Sequence, residues 1–588
     1  MTLFDEATSP RAYDAIVVGS GISGGWAAKQ LCEAGLRTLV LERGRHVEHG
    51  DYPTAALDPW DLDDEAPVVK IGEGHVSALR QRLNGAEKEA YEKQVRFLRD
   101  RNRTALHHFV RDDEHPYAEA PGTAFSWIRG YQTGGRSLTW GRQSYRWSPL
   151  DFEANARDGY GVDWPIRYPD LAPYYSLVER FIGVSGRKEG LDILPDGEFQ
   201  PPMDFRAPEA HFREAVAERF AGRPVTIGRV AHLTDPAGKP EQGRQACQYR
   251  NRCKRGCPYG GYFSANAGTL PAADRTGKLT LRPHSVVAEL IYDDATQRAR
   301  AVRVIDAVTH EQHEFAAPLF FLNASAVGTT AILLNSTSAR FPSGLGNDSD
   351  QLGRNLMDHH FRAGAKARVV GFEDLYEKGR RANGIYIPRF RNLGGDSDAR
   401  DFVRGYGYQG GASRQNWMRG VAEMAYGADF KDEMLRPGPW RMGAGGFGEV
   451  LPNPENRMTL QRDVLDRWGL PTVRFEASIG ENERAMRRDM QTGMAEMLEA
   501  AGFKDVETYD GGYSLGLGIH EMGTARMGRD PKTSVLDGHN RIHACPNVYV
   551  TDGACMTSSA CVNPSLTYMA LTVRAAQHAV ERLRRGEL

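Results

Sequence analysis

The first apolar run, Ala15 to Val18, has the length and β-branched content of a buried parallel strand. A glycine turn follows at once, Trp26 to Ala34 has helical spacing and stops at Gly35, and a second apolar run, Thr38 to Leu41, ends on Glu42. The order predicts a βαβ unit. Further on, "APLFFLNASAVGTTAILL" (Ala317 to Leu334) is broken by Asn, Ser, Gly and Thr and lacks membrane-interface flanks, so it predicts a buried strand, a small-residue turn and a helix. "LTLRPHSVVAEL" (Leu279 to Leu290) alternates as a strand, with "AVRVIDA" (Ala301 to Ala307) as its neighbour. "RMTLQRD" (Arg457 to Asp463) and "PTVRFEAS" (Pro471 to Ser478) read as strands, and Glu481 to Ala501 as an amphipathic helix whose Met and Ala positions face a core. Near the C-terminus, Val548 to Val550 predicts a short strand delivering Asp552 and Gly553. Asn563 then reads as a helix cap, with Pro564 in the first helical position.

The glycine turn carries the first chemistry. Gly19, Gly21 and Gly24 form G-x-G-x-x-G between strand and helix, where the glycines permit a tight turn, backbone approach to a pyrophosphate and close helix packing. Glu42, 18 residues after Gly24, is placed to accept hydrogen bonds from ribose hydroxyls. This unit predicts a bound dinucleotide without distinguishing FAD from NAD.

Composition narrows the class. A chain of 588 residues predicts two or more interlocked domains, and 64 glycines fit many tight turns. With 74 basic and 76 acidic residues there is no global field for nucleic acid or an anionic membrane, and no membrane span is expected. The N-terminus has no basic n-region, apolar h-region or twin arginine, so the expectation is the cytoplasm by default. Seven cysteines are neither a disulfide framework nor negligible, and three of them form C-x5-C-x3-C-P: Cys247, Cys253 and Cys257, followed by Pro258. Thiolate ligation of an iron-sulfur centre, buried free thiols, a disulfide with one thiol left over, and zinc with an outside ligand all fit that spacing, zinc least well. Arg250, Arg252, Lys254 and Arg255 surround the triplet; positive neighbours lower a thiol pKa and offset cluster charge.

"LGIHEMGTARMG" places His520 among small residues, and His520 to Thr524 as H-x-x-G-T pairs with Val562 to Pro564 as V-N-P around "VTDG". This pairing resembles the C-terminal signature of the glucose-methanol-choline (GMC) oxidoreductases. So do the glycine fingerprint, "GGRSLTWGRQSYRW" (Gly134 to Trp147), "DWPIRYPDLAPYY" (Asp163 to Tyr175), "QLGRNLMDH" (Gln351 to His359) and "EVLPNPENRMTL" (Glu449 to Leu460). The regions 55 to 120 and 360 to 440 match in position only.

The resemblance implies an α/β plus α+β fold, with a Rossmann-like FAD-binding domain and a substrate domain on an antiparallel sheet. By family position the FAD domain takes residues 1–55, 120–150, 225–360 and 510–588, the substrate domain 151–224 and 361–509, and a helical or loop insertion 56–119. It implies FAD contacts from Gly19, Gly21, Gly24, Glu42, Gly134, Gly135, Ser137, Val287 with Val286 near the adenine, Asp552, Gly553, Asn563 and Pro564. His520 is implied as the base for the substrate hydroxyl and Asn563 as its partner on the same oxygen, with hydride passing to flavin N5. A base titrating near neutrality suits this step, because an alcohol releases hydride readily only as its proton leaves. Some relatives have a histidine before the tryptophan of "GGRSLTW", which in pyranose oxidases anchors FAD covalently; Thr139 stands there, so FAD is expected to be non-covalent.

A bacterial subset, including the glucoside 3-dehydrogenases, is similar at the cysteine triplet and uses it for a [3Fe-4S] cluster. That subset implies oxidation of a secondary hydroxyl of a sugar or glycoside to a ketone, with electrons leaving to a cytochrome c subunit or a quinone. It also implies a small subunit with a Tat signal, and hence a periplasmic location if the two are exported together. The alternatives are an oxidase of the pyranose or glycoside kind that makes hydrogen peroxide, and a redox-inert FAD-binding or electron-transfer subunit. Glu449, Asn453 and Arg142 are sugar-contact candidates by proximity to these motifs.

Overall fold

The computed structural model describes residues 13–57, 89–94, 103–250, 252–375, 381, 383–394, 400–414, 428 and 438–588. Most of the insertion expected over 56–119 therefore lies outside the described residues.

The glycine-turn unit forms as its pattern predicts: strand Ala15–Val18, helix Ile22–Glu33 and strand Thr38–Leu41, with every strand residue buried. These strands sit in the middle of a six-stranded sheet. In spatial order it runs Arg541–Ile542, Cys545–Val550, Phe320–Leu322, Ala15–Val18, Thr38–Leu41, Leu279–Arg282. All neighbours are parallel except the first pair. Ile16 lies opposite both Phe320 and Leu39, so apolar runs from distant parts of the chain meet in one register. Helices Ile22–Glu33 and Ser565–Arg584 cover one face, and residues of 287–304 pack against the other, so both faces are buried and the strands read as continuous apolar runs rather than alternations.

The segment 279–290 is two strands, not one. Pro283 has no amide to donate and His284 takes a left-handed φ of 53°, so the chain breaks after Arg282. It resumes as Ser285–Asp293, which pairs antiparallel with Arg298–Asp306, itself paired with Gln312–Ala316.

A second six-stranded sheet is wholly antiparallel, in the order Lys504–Asp510, His359–Arg368, Trp440–Glu449, Tyr406–Arg414, Ile385–Ile387, Thr226–Ile227. The helix Glu481–Ala500 lies against it with Met486, Met490, Met494 and Met497 fully buried. Glycine makes the room, since a Cβ on Gly446 would sit 2.5 Å from the Met490 side chain. The strands Arg457–Leu465 and Pro471–Glu476 pair with each other, and the latter pairs with Ala118–Glu119, in a small sheet apart from this one. No described helix is long and apolar enough to cross a membrane.

Candidate active site

One cavity runs from the glycine turn to the loop that carries His520. Gly19, Gly21, Glu42, Gly135, Ser137, Val286, Val287, His520, Asp552, Gly553 and Asn563 all line it. Gly24 and Gly134 support it from behind: a Cβ on Gly24 would lie 1.9 Å from the Gly19 carbonyl oxygen, and one on Gly134 1.7 Å from Asn266 Oδ1.

The cavity fits a dinucleotide at its glycine end. A Cβ on Gly21 would meet nothing within 4 Å, leaving open space beside the first turn of helix Ile22–Glu33, and no acidic residue in that turn neutralises its amides. Glu42 is buried and accepts from the Ser20 hydroxyl, from Ser20 N–H at 3.2 Å and from Gly44 N–H at 2.9 Å. Burial raises its pKa against those donors. Two buried donors on the cavity wall, Asn323 Nδ2 and the Tyr568 hydroxyl, have no protein partner and are available to a ligand. Asp552 takes the Thr329 hydroxyl and the Ala554 N–H, and burial pushes its carboxyl up to about 6.

At the other end, the loop bearing His520 is held by two buried carboxylates. Asp358 accepts from the N–H of His520 (3.0 Å), Gly516, Gly518 and His359 and from the Tyr513 hydroxyl. Burial and neighbouring Glu521 push its pKa up to about 7 against these donors. Glu521 receives both arms of Arg136, the closer at 2.8 Å. The backbone here is unusual: Arg142, Ser325, Ile519 and Ala560 all have φ between 54° and 69°, costly for a β-branched residue such as Ile519, and the first three line the cavity.

His520 Nδ1 lies 2.9 Å from His359 Nδ1, and His359 Nε2 lies 3.0 Å from the Ala560 carbonyl oxygen. Burial, His359 and Arg136 lower the His520 pKa well below its ordinary value, so the ring is neutral and can take a proton, though as a weaker base than the near-neutral one expected from the sequence. Asn563 does not cap the last helix. The helix starts at Ser565 with Pro564 as its boundary residue and no side-chain cap, because the Asn563 amide oxygen instead accepts from Gln409 Nε2 at 2.6 Å. That bond leaves the amide N–H groups as the donors for a ligand.

Of the proposed sugar contacts only Arg142 lines the cavity. Glu449 is buried and paired with Arg404 at 2.6 Å, while Asn453 is exposed and bonds its own loop at Glu455 N–H. His359 and Gln409 had no role in the sequence reading. His359 closes the quoted "QLGRNLMDH", a signal that was available; Gln409 lies in a stretch without motif identity.

The cysteine triplet departs from expectation. Cys247, Cys253 and Cys257 are free, partly buried thiols, and among the described residues no group of three or more His, Cys, Asp or Glu is placed to hold a metal ion. Among the basic neighbours, Arg250, Arg252 and Arg255 donate to backbone carbonyls of residues 54–57. Burial pushes the Cys247 thiol up to about 11. Cys253 Sγ sits 3.6 Å from Nε2 of buried His232. As placed among the described residues, the three thiols do not fit the expected [3Fe-4S] cluster.

Two family models, both described as GMC oxidoreductase, match residues 231–361 and 452–572. The chain is 27% identical to the fructose dehydrogenase large subunit of Gluconobacter japonicus, covering 97% of this chain and 98% of that one. It is also 27% identical to the paromamine 6'-oxidase of Streptomyces fradiae, covering 98% and 92%. Its fold is shared by the solved formate oxidase of Aspergillus oryzae RIB40, with a TM-score of 0.60 at 15% identity over 99% of this chain and 100% of that one. With the glycine turn, Glu42, His520 and Asn563 gathered on one cavity and both domains described as GMC oxidoreductase matched in the chain, the protein is an oxidoreductase.

Proposed function

We propose that the protein oxidises a secondary hydroxyl of a sugar or glycoside to a ketone, using non-covalent FAD and an electron acceptor other than oxygen. The observation that carries the reading is the neutral, half-buried His520 on the same cavity as the Asn563 amide and the dinucleotide turn. Bound FAD supplies the two-electron acceptor. His520 takes the hydroxyl proton at Nε2, the ring nitrogen that does not face His359. Asn563 donates its amide N–H to the same oxygen as negative charge grows there, without altering its own charge. Arg142 and Gln143, beside Trp140, give the cavity a polar wall suited to further hydroxyls. Thr139 offers no imidazole for a covalent bond to the cofactor.

A dehydrogenase is favoured by the likeness to the fructose dehydrogenase, whose description as a large subunit supports an acceptor chain: a cytochrome c subunit, with a small Tat-signal subunit for export. The second reading is an oxidase, favoured by equal identity to paromamine 6'-oxidase. Anaerobic titration of the purified flavoprotein with a panel of glycosides, aldoses and polyols, recorded as full spectra, tests the reaction class. Bleaching by at least one sugar is expected, and no bleaching by any would overturn it. Dye reduction with negligible peroxide supports the dehydrogenase, stoichiometric peroxide the oxidase. Iron above background in the same preparation would reinstate the cysteine centre.

A further inference from the structure

We propose that His359 is a positioning residue that fixes the tautomer of His520 and so keeps Nε2 bare for the substrate proton; this rests on His520 being the base. The chain of contacts begins at Ala560. Its carbonyl can only accept, so His359 Nε2, 3.0 Å away, carries a hydrogen. His359 is fully enclosed and burial lowers its pKa to about 4, so the ring is neutral and its Nδ1 holds a lone pair. That lone pair faces His520 Nδ1 at 2.9 Å, and two lone pairs do not share such a contact, so the hydrogen between them belongs to His520. A neutral His520 with its proton on Nδ1 has none on Nε2. Without this partner an imidazole carries its proton mainly on Nε2, the arrangement that blocks the base.

The relay is anchored at its far end. Ala560 has φ 54°, and its N–H donates to Glu449 Oε1 at 3.1 Å, so a buried carboxylate paired with Arg404 sets where the carbonyl points. Asp358 sets the near end, because one carboxylate oxygen accepts from the backbone N–H of both His359 and His520. Groups that bear on the His520 charge are Arg136, which opposes protonation, Glu521, which is paired to Arg136, Asp358, and neutral His359.

The test uses the FAD-loaded enzyme and the sugar that bleaches it best. Wild type, His359→Phe, His359→Gln and His520→Ala are compared by anaerobic single-turnover bleaching across pH, with FAD content and near-UV circular dichroism as controls. His359→Phe is expected to keep FAD, to lower the limiting rate about 10- to 100-fold and to leave the sugar dissociation constant within about threefold. A glutamine amide can donate to Ala560 and accept from His520, so His359→Gln should recover most of the rate. Equal losses in the Phe and Gln variants, or a Phe variant within twofold of wild type while His520→Ala is dead, would overturn the role of His359 alone. A His520→Ala variant with unchanged turnover would instead remove the base assignment and this proposal with it. If His359→Phe does not fold, nitrogen-15 spectra of histidine-labelled wild type decide: a protonated Nδ1 and bare Nε2 on His520 are expected, and the reverse tautomer refutes the proposal.

Discussion

Gln409→Leu removes one hydrogen bond while keeping the side chain's approximate volume. Gln409 stands in strand Tyr406–Arg414 and gives its Nε2 to the Asn563 oxygen at 2.6 Å. Asn563 is 9% exposed, so few other partners can reach it. With the bond in place, the amide N–H groups are the ones left for the substrate oxygen; without it, the amide can rotate and present its oxygen instead. The net worth of such a bond is about 1 kcal/mol, and a loss felt at the reacting oxygen is about a fivefold drop in rate. Anaerobic stopped-flow bleaching reads the limiting rate separately from sugar binding. A drop of about 3- to 10-fold is expected, smaller than that of Asn563→Ala. In the double variant Gln409→Leu should cost little more once Asn563 is gone, because it acts through that amide. A single-variant rate equal to wild type, or additive losses in the cycle, would refute the reasoning.

Trp468→Ala should loosen FAD: the indole stacks on Arg43 at 4.7 Å and packs against Val286, so about 1–2 kcal/mol is lost and the FAD dissociation constant rises about 5- to 30-fold by equilibrium dialysis. Glu449→Leu should lower stability by about 3 kcal/mol in denaturant unfolding, the low end for breaking a buried pair, since Asp158 still compensates Arg404. The bleaching rate should be flat above pH 6.5 and fall only below it, because the base works when deprotonated and its pKa lies well under the ordinary 6.5. A titration centred at or above 6.5 would contradict that.

The glycine-turn unit was legible because its strand, turn, helix, strand and acid are contiguous, and local pattern dictates each piece. His520 and Asn563 were legible from motif. Their partners were not: His359 is 161 residues from His520, and Gln409 154 from Asn563, so no window of sequence contains either pair. Asn563–Pro564 reads as a cap because that dipeptide usually is one; here a glutamine from another sheet competes for the amide and wins. Residues 279–290 alternate like one strand, yet Pro283 splits them between two sheets. The arginines around the cysteines were visible as charge, but their carbonyl partners at 54–57 lie far off in sequence, so their structural use could not be read.

The central sheet has a consequence for how the enzyme is made. Its order places Cys545–Val550 directly beside Phe320–Leu322, which is itself beside the first strand of the chain. During synthesis the glycine turn emerges long before the strand Cys545–Val550 and before His520 and Asn563, which line the catalytic end of the cavity. A nascent chain therefore cannot close around its cofactor until Tyr568 has been made, and a chain cut short before residue 545 would present an open sheet edge to its neighbours. Acquisition of colour would then report that these distant segments have met in one sheet.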